Sequence, residues 1–462
     1  MSQRLTTLDT AFLHAEDTDP HTQLGIGGLA ILDGPMPDHA SLMATLAERI
    51  AVCPRFSQRL RRQMFDLSAP EWVDDDKFDL SYHVRRVAVP GSGSDDDLFR
   101  VVADVMSWRL DRNRPLWEIW LIGGMADDRW AMLVKVHPCL ADAVATVHIL
   151  TGLSDDGMAG GAAFERCVSN HPAGSALVAS PPQNLQPAPR PSPWLSALRA
   201  PVQIAGDALA AARDVLRSSG EFAAGLQRPS STLNGPVTSR RRYTAARVAL
   251  DDVHQICRTF NVSVDDVALA ALTESYRNML LRRGEQPTAE SLRTLVPSRK
   301  AVQLPYLPVH ENNPVLRLRL VHARMEQLAG SGSGADGVVA AATRMLPFPV
   351  TSWALDLLAR LPQRNVATMA VNVPGPRQPL QVMGCNVVGV LPIPPIGIQL
   401  RTAAAVLNYA DKLFFGILAD FDAVPDADEL ARGVEAAVAR LLERSRRRRG
   451  RDRHGMALVV TA

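Results

Sequence analysis

Hydrophobic positions recur along this chain with two periods. LWEIWLIGG (Leu116–Gly124) and WAMLVKV (Trp130–Val136) are near-continuous apolar runs of strand length, and a charged turn at Asp127, Asp128 and Arg129 joins them. Upstream, Leu98, Val101, Val102 and Val105 fall on one helical face, and Ser94 with Asp97 forms a capping box in front of them. Ser263 and Asp266 form a second box that opens the helical segment VALAALTESYRNMLLRR. A last helix is expected from about Asp426, with Leu430, Val434, Val438 and Leu441 at helical spacing. Strands and helices therefore mix in both halves, which predicts an α/β fold without a short-period repeat.

One stretch breaks the pattern. Asn170 to Trp194 is rich in Pro, Ala and Ser, cannot bury enough surface to offset its ordering entropy, and reads as an exposed linker. The expected organisation is a first half over residues 1–165, a linker over 166–237 with a helix-like stretch at Ile204–Leu216, a second half over 238–448, and a basic tail over 449–462. The tail sequence RSRRRRGRDRHG reads either as a frayed, solvated helix end or as a segment drawn to anionic lipid headgroups.

Composition narrows the classes. Hydrophobic residues make up 47% and charged residues 21%, an ordinary globular balance, and the net charge of +2 argues against a general nucleic-acid binder. Cys53, Cys139, Cys167, Cys257 and Cys385 are dispersed and unpaired in sequence, which fits reduced thiols in a cytoplasm and not a disulfide framework or a zinc site. The first residues carry no apolar core of signal-peptide length. The most apolar segment is interrupted by Pro392, Pro394 and Pro395, so no membrane span is expected, although contact with a membrane surface stays open.

The chemistry concentrates at VKVHPCLADAVATVHIL, Val134–Leu150, where a strand ends in a histidine and a helix follows a short turn. Several separate stretches, in order along nearly the whole chain, resemble the bacterial wax ester synthase/diacylglycerol acyltransferases. LTTLDTAFLHAED is similar to that family's opening. Pro115, Leu116 and Trp117 match its PLW element, His137 to Ala143 stand at its HHxxxDG element, and VSVDDVALAAL is similar to a helix-opening segment that usually carries Asn-Asp where this chain has Asp265-Asp266. Asn372 to Pro376 match its NVPGP element, and YADKLFFGILADFDAVPD resembles its closing strand and turn.

The resemblance implies two chloramphenicol acetyltransferase-like α/β halves with a tunnel between them. It implies acyl-CoA as co-substrate, diacylglycerol or a long-chain alcohol as acceptor, and direct acyl transfer with no bound cofactor and no metal. It also implies a cytoplasmic protein, with peripheral contact at the inner membrane or at lipid inclusions. Its motif departs from this chain at two places. The second histidine, which is the family's general base, is replaced by Pro138, and the glycine after Asp142 is replaced by Ala143. Imidazole suits the base because it titrates near neutrality, whereas proline has no titratable side chain.

His137 is the neighbouring candidate. Alternation along an extended chain points it away from the channel, so it serves as base only if the altered turn rotates it; otherwise it is a structural histidine. Cys139 could share a face with His137, but a small residue in a tight turn is the simpler reading. His148 reads as a surface or core residue. Asp142 reads as architectural, Asp266 as part of its capping box, and Asp265 as a carboxylate favoured by the helix dipole. Ala143 accepts positive φ poorly, so a changed turn is expected there. Pro115, Leu116, Trp117, Asn372, Pro374 and Gly375 read as elements that shape the channel. The rival to an impaired acyltransferase is a non-catalytic acyl-CoA or lipid binder.

Overall fold

The structure is a computed structural model of the chain. It describes residues 4–62, 69–155, 232–297, 302–303, 305–330, 366–373, 375–376, 378–397 and 399–459. The linker expectation for residues 170–194, the helix at 204–216 and Pro374 lie outside the described residues.

Up to residue 155 the elements are α1 (Thr7–Thr18), β1 (Ile26–Asp33), α2 (His39–Ala51), β2 (Gln58–Arg61), β3 (Glu71–Asp74), α3 (Leu80–His83), β4 (Val84–Ala88), α4 (Asp95–Ser107), β5 (Trp117–Met125), β6 (Arg129–Val136) and α5 (Ala143–Gly152). From residue 232 they are β7 (Arg241–Ala249), α6 (Leu250–Phe260), α7 (Val264–Arg282), β8 (Arg293–Pro297), β9 (Val302–Gln303), α8 (Pro314–Gly330), β10 (Val366–Val373), β11 (Gln381–Val382), β12 (Cys385–Ile393), β13 (Thr402–Tyr409), β14 (Lys412–Asp420) and α9 (Ala427–Val459). Both predicted capping boxes close, Ser94 with Asp97 ahead of α4 and Ser263 with Asp266 ahead of α7. The β5–β6 hairpin turns through Asp127 and Asp128 at φ 59° and 53°, a left-handed pair that aspartate tolerates better than most residues.

Two six-stranded sheets form, in the orders β11-β12-β1-β6-β5-β4 and β7-β14-β13-β10-β8-β9. Each mixes parallel with antiparallel pairing. The outer two strands of the first sheet, β11 and β12, come from the far end of the chain, and β12 lies antiparallel on β1 with Leu29 opposite Leu391. The core under this sheet accordingly draws on both halves, since it includes Tyr243, Val390, Leu391, Ile393 and Phe414, whereas the second core is built from residues beyond 232.

The sheets meet where side chains are missing. A Cβ on Gly416 of β14 would lie 1.7 Å from the Pro392 carbonyl oxygen of β12, so only glycine permits this approach. Tyr243 donates to that same carbonyl at 3.1 Å and meets Phe99 of α4 edge to face. Arg241 adds two hydrogen bonds across the halves, from its N–H to Ser107 Oγ (3.1 Å) and from its guanidinium to the His21 carbonyl (2.7 Å).

A second tie follows α5. Asp155 accepts the N–H groups of Met383 and Gly384 at 2.8 Å each, one on either oxygen, and pairs with Arg49 of α2 at 2.7 Å. Met383 and Gly384 form the β11–β12 turn with φ of 51° and 76°, and this carboxylate satisfies its amides. Arg49 is buried, so removing Asp155 leaves a charge and two amides without their acceptor. Asp155→Ala is expected to cost about 2 kcal/mol, read as a lower denaturant midpoint; an unchanged midpoint would show that the tie contributes nothing.

Candidate active site

Strand β6 leads into the motif, and its pleat decides what each motif residue faces. Gly28 of β1 pairs with Val134, and a Cβ on Gly28 would lie 2.6 Å from Leu150 Cδ1, so this face of the sheet carries α5. Lys135 points to the other face. Its ammonium is buried and donates to the carbonyls of Val105 (2.8 Å) and Trp108, at the end of α4. A cation there complements the helix dipole and caps orphan carbonyls. Burial lowers its pKa to about 8 despite the attraction of Glu118 and Glu16.

His137, two residues on, takes the Lys135 side. It is 2% exposed and buried against α1. Its N–H donates to the Leu116 carbonyl at 3.0 Å, and its Nδ1 accepts the Cys139 N–H at 3.2 Å. The ring proton therefore sits on Nε2, which faces Glu16 Oε2 at 3.6 Å, beyond hydrogen-bond distance. Glu16 also accepts the Leu24 N–H (2.8 Å) and Arg112 Nη2 (2.9 Å). Burial alone would raise the Glu16 pKa, but His137, Leu24 and Arg112 outweigh it and hold the carboxyl at about 2. Sequence reading passed over this network, although Glu16 stands in the quoted LHAED segment and Lys135 interrupts an otherwise apolar strand.

The turn itself is closed by main chain. The N–H groups of Leu140 (2.8 Å) and Ala141 (3.3 Å) both reach the His137 carbonyl. Pro138 is buried within it. Cys139 is buried too, its thiol donating to the Asp9 carbonyl at 3.1 Å, and burial pushes its pKa well up, so it is an inert thiol. Asp142 caps α5 by accepting the Ala145 N–H at 2.7 Å. Ala143 is the first helical residue, not a left-handed one, so it sits there without backbone strain. His148 lies on the exposed face of α5.

Two family models cover these elements. The wax ester synthase/diacylglycerol acyltransferase catalytic domain matches residues 5–268, and the WS/DGAT C-terminal domain matches residues 300–441. The chain is also 49% identical, over 99% of each chain, to a Mycobacterium tuberculosis H37Rv protein named "Probable diacyglycerol O-acyltransferase tgs1". The chain belongs to the wax ester synthase/diacylglycerol acyltransferase family. Among solved structures, a family enzyme from Marinobacter aquaeolei VT8 is similar in fold, with TM-score 0.69 and 24% identity over 96% of this chain and 100% of that one. A starter condensation domain of rhizomide synthetase, solved with C8-CoA, shares the fold at TM-score 0.54 and 13% identity over 96% and 95% of the chains.

The other family elements sit as follows. Trp117 is fully buried at the head of β5, donates to the Phe56 carbonyl at 2.8 Å and stacks on His83 at 4.5 Å; Pro115 and Leu116 are buried beside it. Asp266 is buried, completes the box with Ser263, and receives His322 Nδ1 at 2.8 Å, a partner that sequence alone did not suggest. Asp265 lies exposed beside it in the first turn of α7. Asn372 is the last residue but one of β10, opposite Val406 of β13. Gly375 donates its N–H to Asn408 Oδ1 at 2.8 Å, and a Cβ there would fall 1.6 Å from the Asn408 carbonyl, which requires glycine. Among the described residues no group of three or more His, Cys, Asp or Glu is arranged to hold a metal.

Two outcomes follow. Glu16 has a depressed folded pKa, so its stabilisation is full above its ordinary 4.5 and is lost as pH falls toward about 2. Glu16→Gln is thus expected to destabilise at neutral pH, with the gap to wild type closing in acid; urea midpoints across pH test this, and a constant gap would refute it. Cys139 is expected to resist iodoacetamide at pH 8 in the folded chain and to react only after unfolding, as peptide mass mapping would show.

Proposed function

We propose that this chain transfers a fatty acyl group from acyl-CoA to a hydroxyl of diacylglycerol or a long-chain alcohol, in a tunnel between its two halves, without the imidazole that its family places at position 138. The acceptor oxygen attacks the thioester carbonyl, the C–S bond breaks, the hydroxyl proton passes to the departing sulfur so that coenzyme A leaves as thiol, and no covalent enzyme intermediate forms. Acyl-CoA enters as co-substrate; the reading needs no bound cofactor. The relative named for diacylglycerol acylation, at 49% identity, supports the acceptor class.

The residue at 138 carries the finer reading. A general base adds about 10²–10⁴-fold, while orientation can supply much of the remaining rate, so loss of the base impairs turnover without abolishing it. His137, turned to Glu16 and buried, acts as a structural residue. Asp142, Asp265 and Asp266 are architectural, and Pro115, Leu116, Trp117, Asn372, Pro374 and Gly375 shape the tunnel. The same proline favours a second reading, a non-catalytic acyl-CoA or lipid binder. Both acceptors are poorly soluble in water, so the enzymatic reading brings the protein to the surface of a membrane or lipid inclusion.

The test is thioester consumption with diacylglycerol and with hexadecanol. Wild type is expected to be slow and Pro138→His faster, recovering part of that 10²–10⁴-fold, roughly 3–5 kcal/mol. Adding Ala143→Gly is expected to change little, because Ala143 already sits in ordinary helix. His137→Ala is expected to lower stability more than rate. If wild type matches an intact family member and His137→Ala abolishes turnover in folded protein, His137 is the base. If no variant turns over but palmitoyl-CoA binds saturably in calorimetry, the binder reading holds.

A further inference from the structure

Arg240 and Arg242 flank Arg241, the first residue of β7. The pleat turns Arg241 inward, where it is buried and bonded to the His21 carbonyl, and turns its two neighbours to the opposite face, roughly 7 Å apart. There both guanidinium groups lie over the ring of Phe421, at 3.6 and 3.9 Å from its centroid. Arg242 Nε donates to the Phe421 carbonyl at 3.2 Å, and the Phe421 N–H donates to the Arg240 carbonyl at 3.1 Å. Asp420, fully buried, fixes the turn beneath them by accepting the N–H groups of Thr238 (2.5 Å) and Ala423 (2.9 Å).

These two cations are held in place but not neutralised. Among the described residues neither forms an ion pair, and Asp422, one residue past the ring, pairs with neither. Arg49, Arg85, Arg112 and Arg283, by contrast, all meet carboxylates. Arg240 is exposed and Arg242 half-buried, so their remaining N–H groups reach solvent. A guanidinium stacked on a ring keeps its planar fork of donors free at the edge, and one already held loses little freedom on binding. One fork fills a carboxylate; two forks at this spacing can grip a phosphate or diphosphate from both sides.

The fold places the pair at the same end of the molecule as the motif. The end of β6 pairs with the start of β1, which pairs with the end of β12, and β12 and β14 rise together, Gly389 beside Phe414 and Pro392 beside Gly416. Strand β6 therefore runs into the His137 turn on the side where β14 runs into Phe421. Crossing from β6 over β1 and β12 to β14 spans roughly 15–20 Å, a distance that the extended pantetheine arm covers between a thioester and the phosphates of coenzyme A.

We propose that Arg240 and Arg242, stacked on Phe421, bind the phosphate groups of the acyl-CoA donor. This rests on the reading of acyl-CoA as co-substrate, and it names residues that position it.

The test is calorimetry on the full chain with octanoyl-CoA, with octanoyl-pantetheine, which carries no phosphate, and with inorganic diphosphate. Changing Arg240 and Arg242 together to Gln is expected to weaken octanoyl-CoA binding at least about tenfold and to leave octanoyl-pantetheine binding as in wild type. The Lys pair, which keeps the charge and loses the fork, is expected to fall between. Changing Arg86 and Arg432, two exposed arginines elsewhere, to Gln is expected to alter octanoyl-CoA binding by less than about twofold. Unchanged octanoyl-CoA affinity in the Gln pair, an equal loss in the Arg86 and Arg432 control, an equal loss for octanoyl-pantetheine, or inorganic diphosphate binding as tightly as octanoyl-CoA would each overturn the proposal. Octanoyl-CoA binding that depends on the pair in a protein that turns over no acceptor would keep the clamp and sink the transferase reading alone. Turnover by wild type with unchanged octanoyl-CoA affinity in the Gln pair would sink the clamp alone.

Discussion

Successive side chains of β6 must point to opposite faces of its sheet, and the motif inherits that alternation. Lys135 reaches the end of α4, Val134 stands on the α5 side opposite Gly28, and His137 returns to the Lys135 side to meet Glu16. A base at 138 would belong to the other side. With proline there, the imidazole one residue earlier cannot substitute unless the strand end rotates by a full position. That rotation would break the Cys139 N–H contact to Nδ1 and take the ring away from Glu16.

The same geometry explains how the proline is accommodated. The turn is held by main-chain bonds to the His137 carbonyl, and α5 is started by the Asp142 cap. Neither uses the side chain at 138. The fold can therefore keep its motif loop while the chemistry loses its base, which is why a single restored imidazole is a meaningful experiment.

The halves are not independent bodies. Strands β11 and β12 complete the first sheet, Asp155 holds their turn, and the bare backbone at Gly416 lets the second sheet approach Pro392. Burying apolar side chains from both ends of the chain in one core couples the motif helix α5 to segments far along the sequence, because a close-packed core transmits displacements.

Much was readable from residues alone. The capping boxes at Ser94 and Ser263, the hairpin around Asp127 and the buried stripe of α9 are local signals, set by hydrogen bonds and periodicities within a few residues, and they formed where predicted. The family and the missing histidine at 138 were equally legible, since motif identity is a property of sequence order. What sequence did not disclose was pairing at long range: Glu16 under His137, His322 on Asp266, Lys135 on the α4 carbonyls, and β12 beside β1. Even Ala143, which looked strained in sequence, is relaxed once the helix is seen to begin there. Local propensity fixes which way a segment can fold, but which segments then touch depends on how the whole chain packs, and that packing decided what His137 faces.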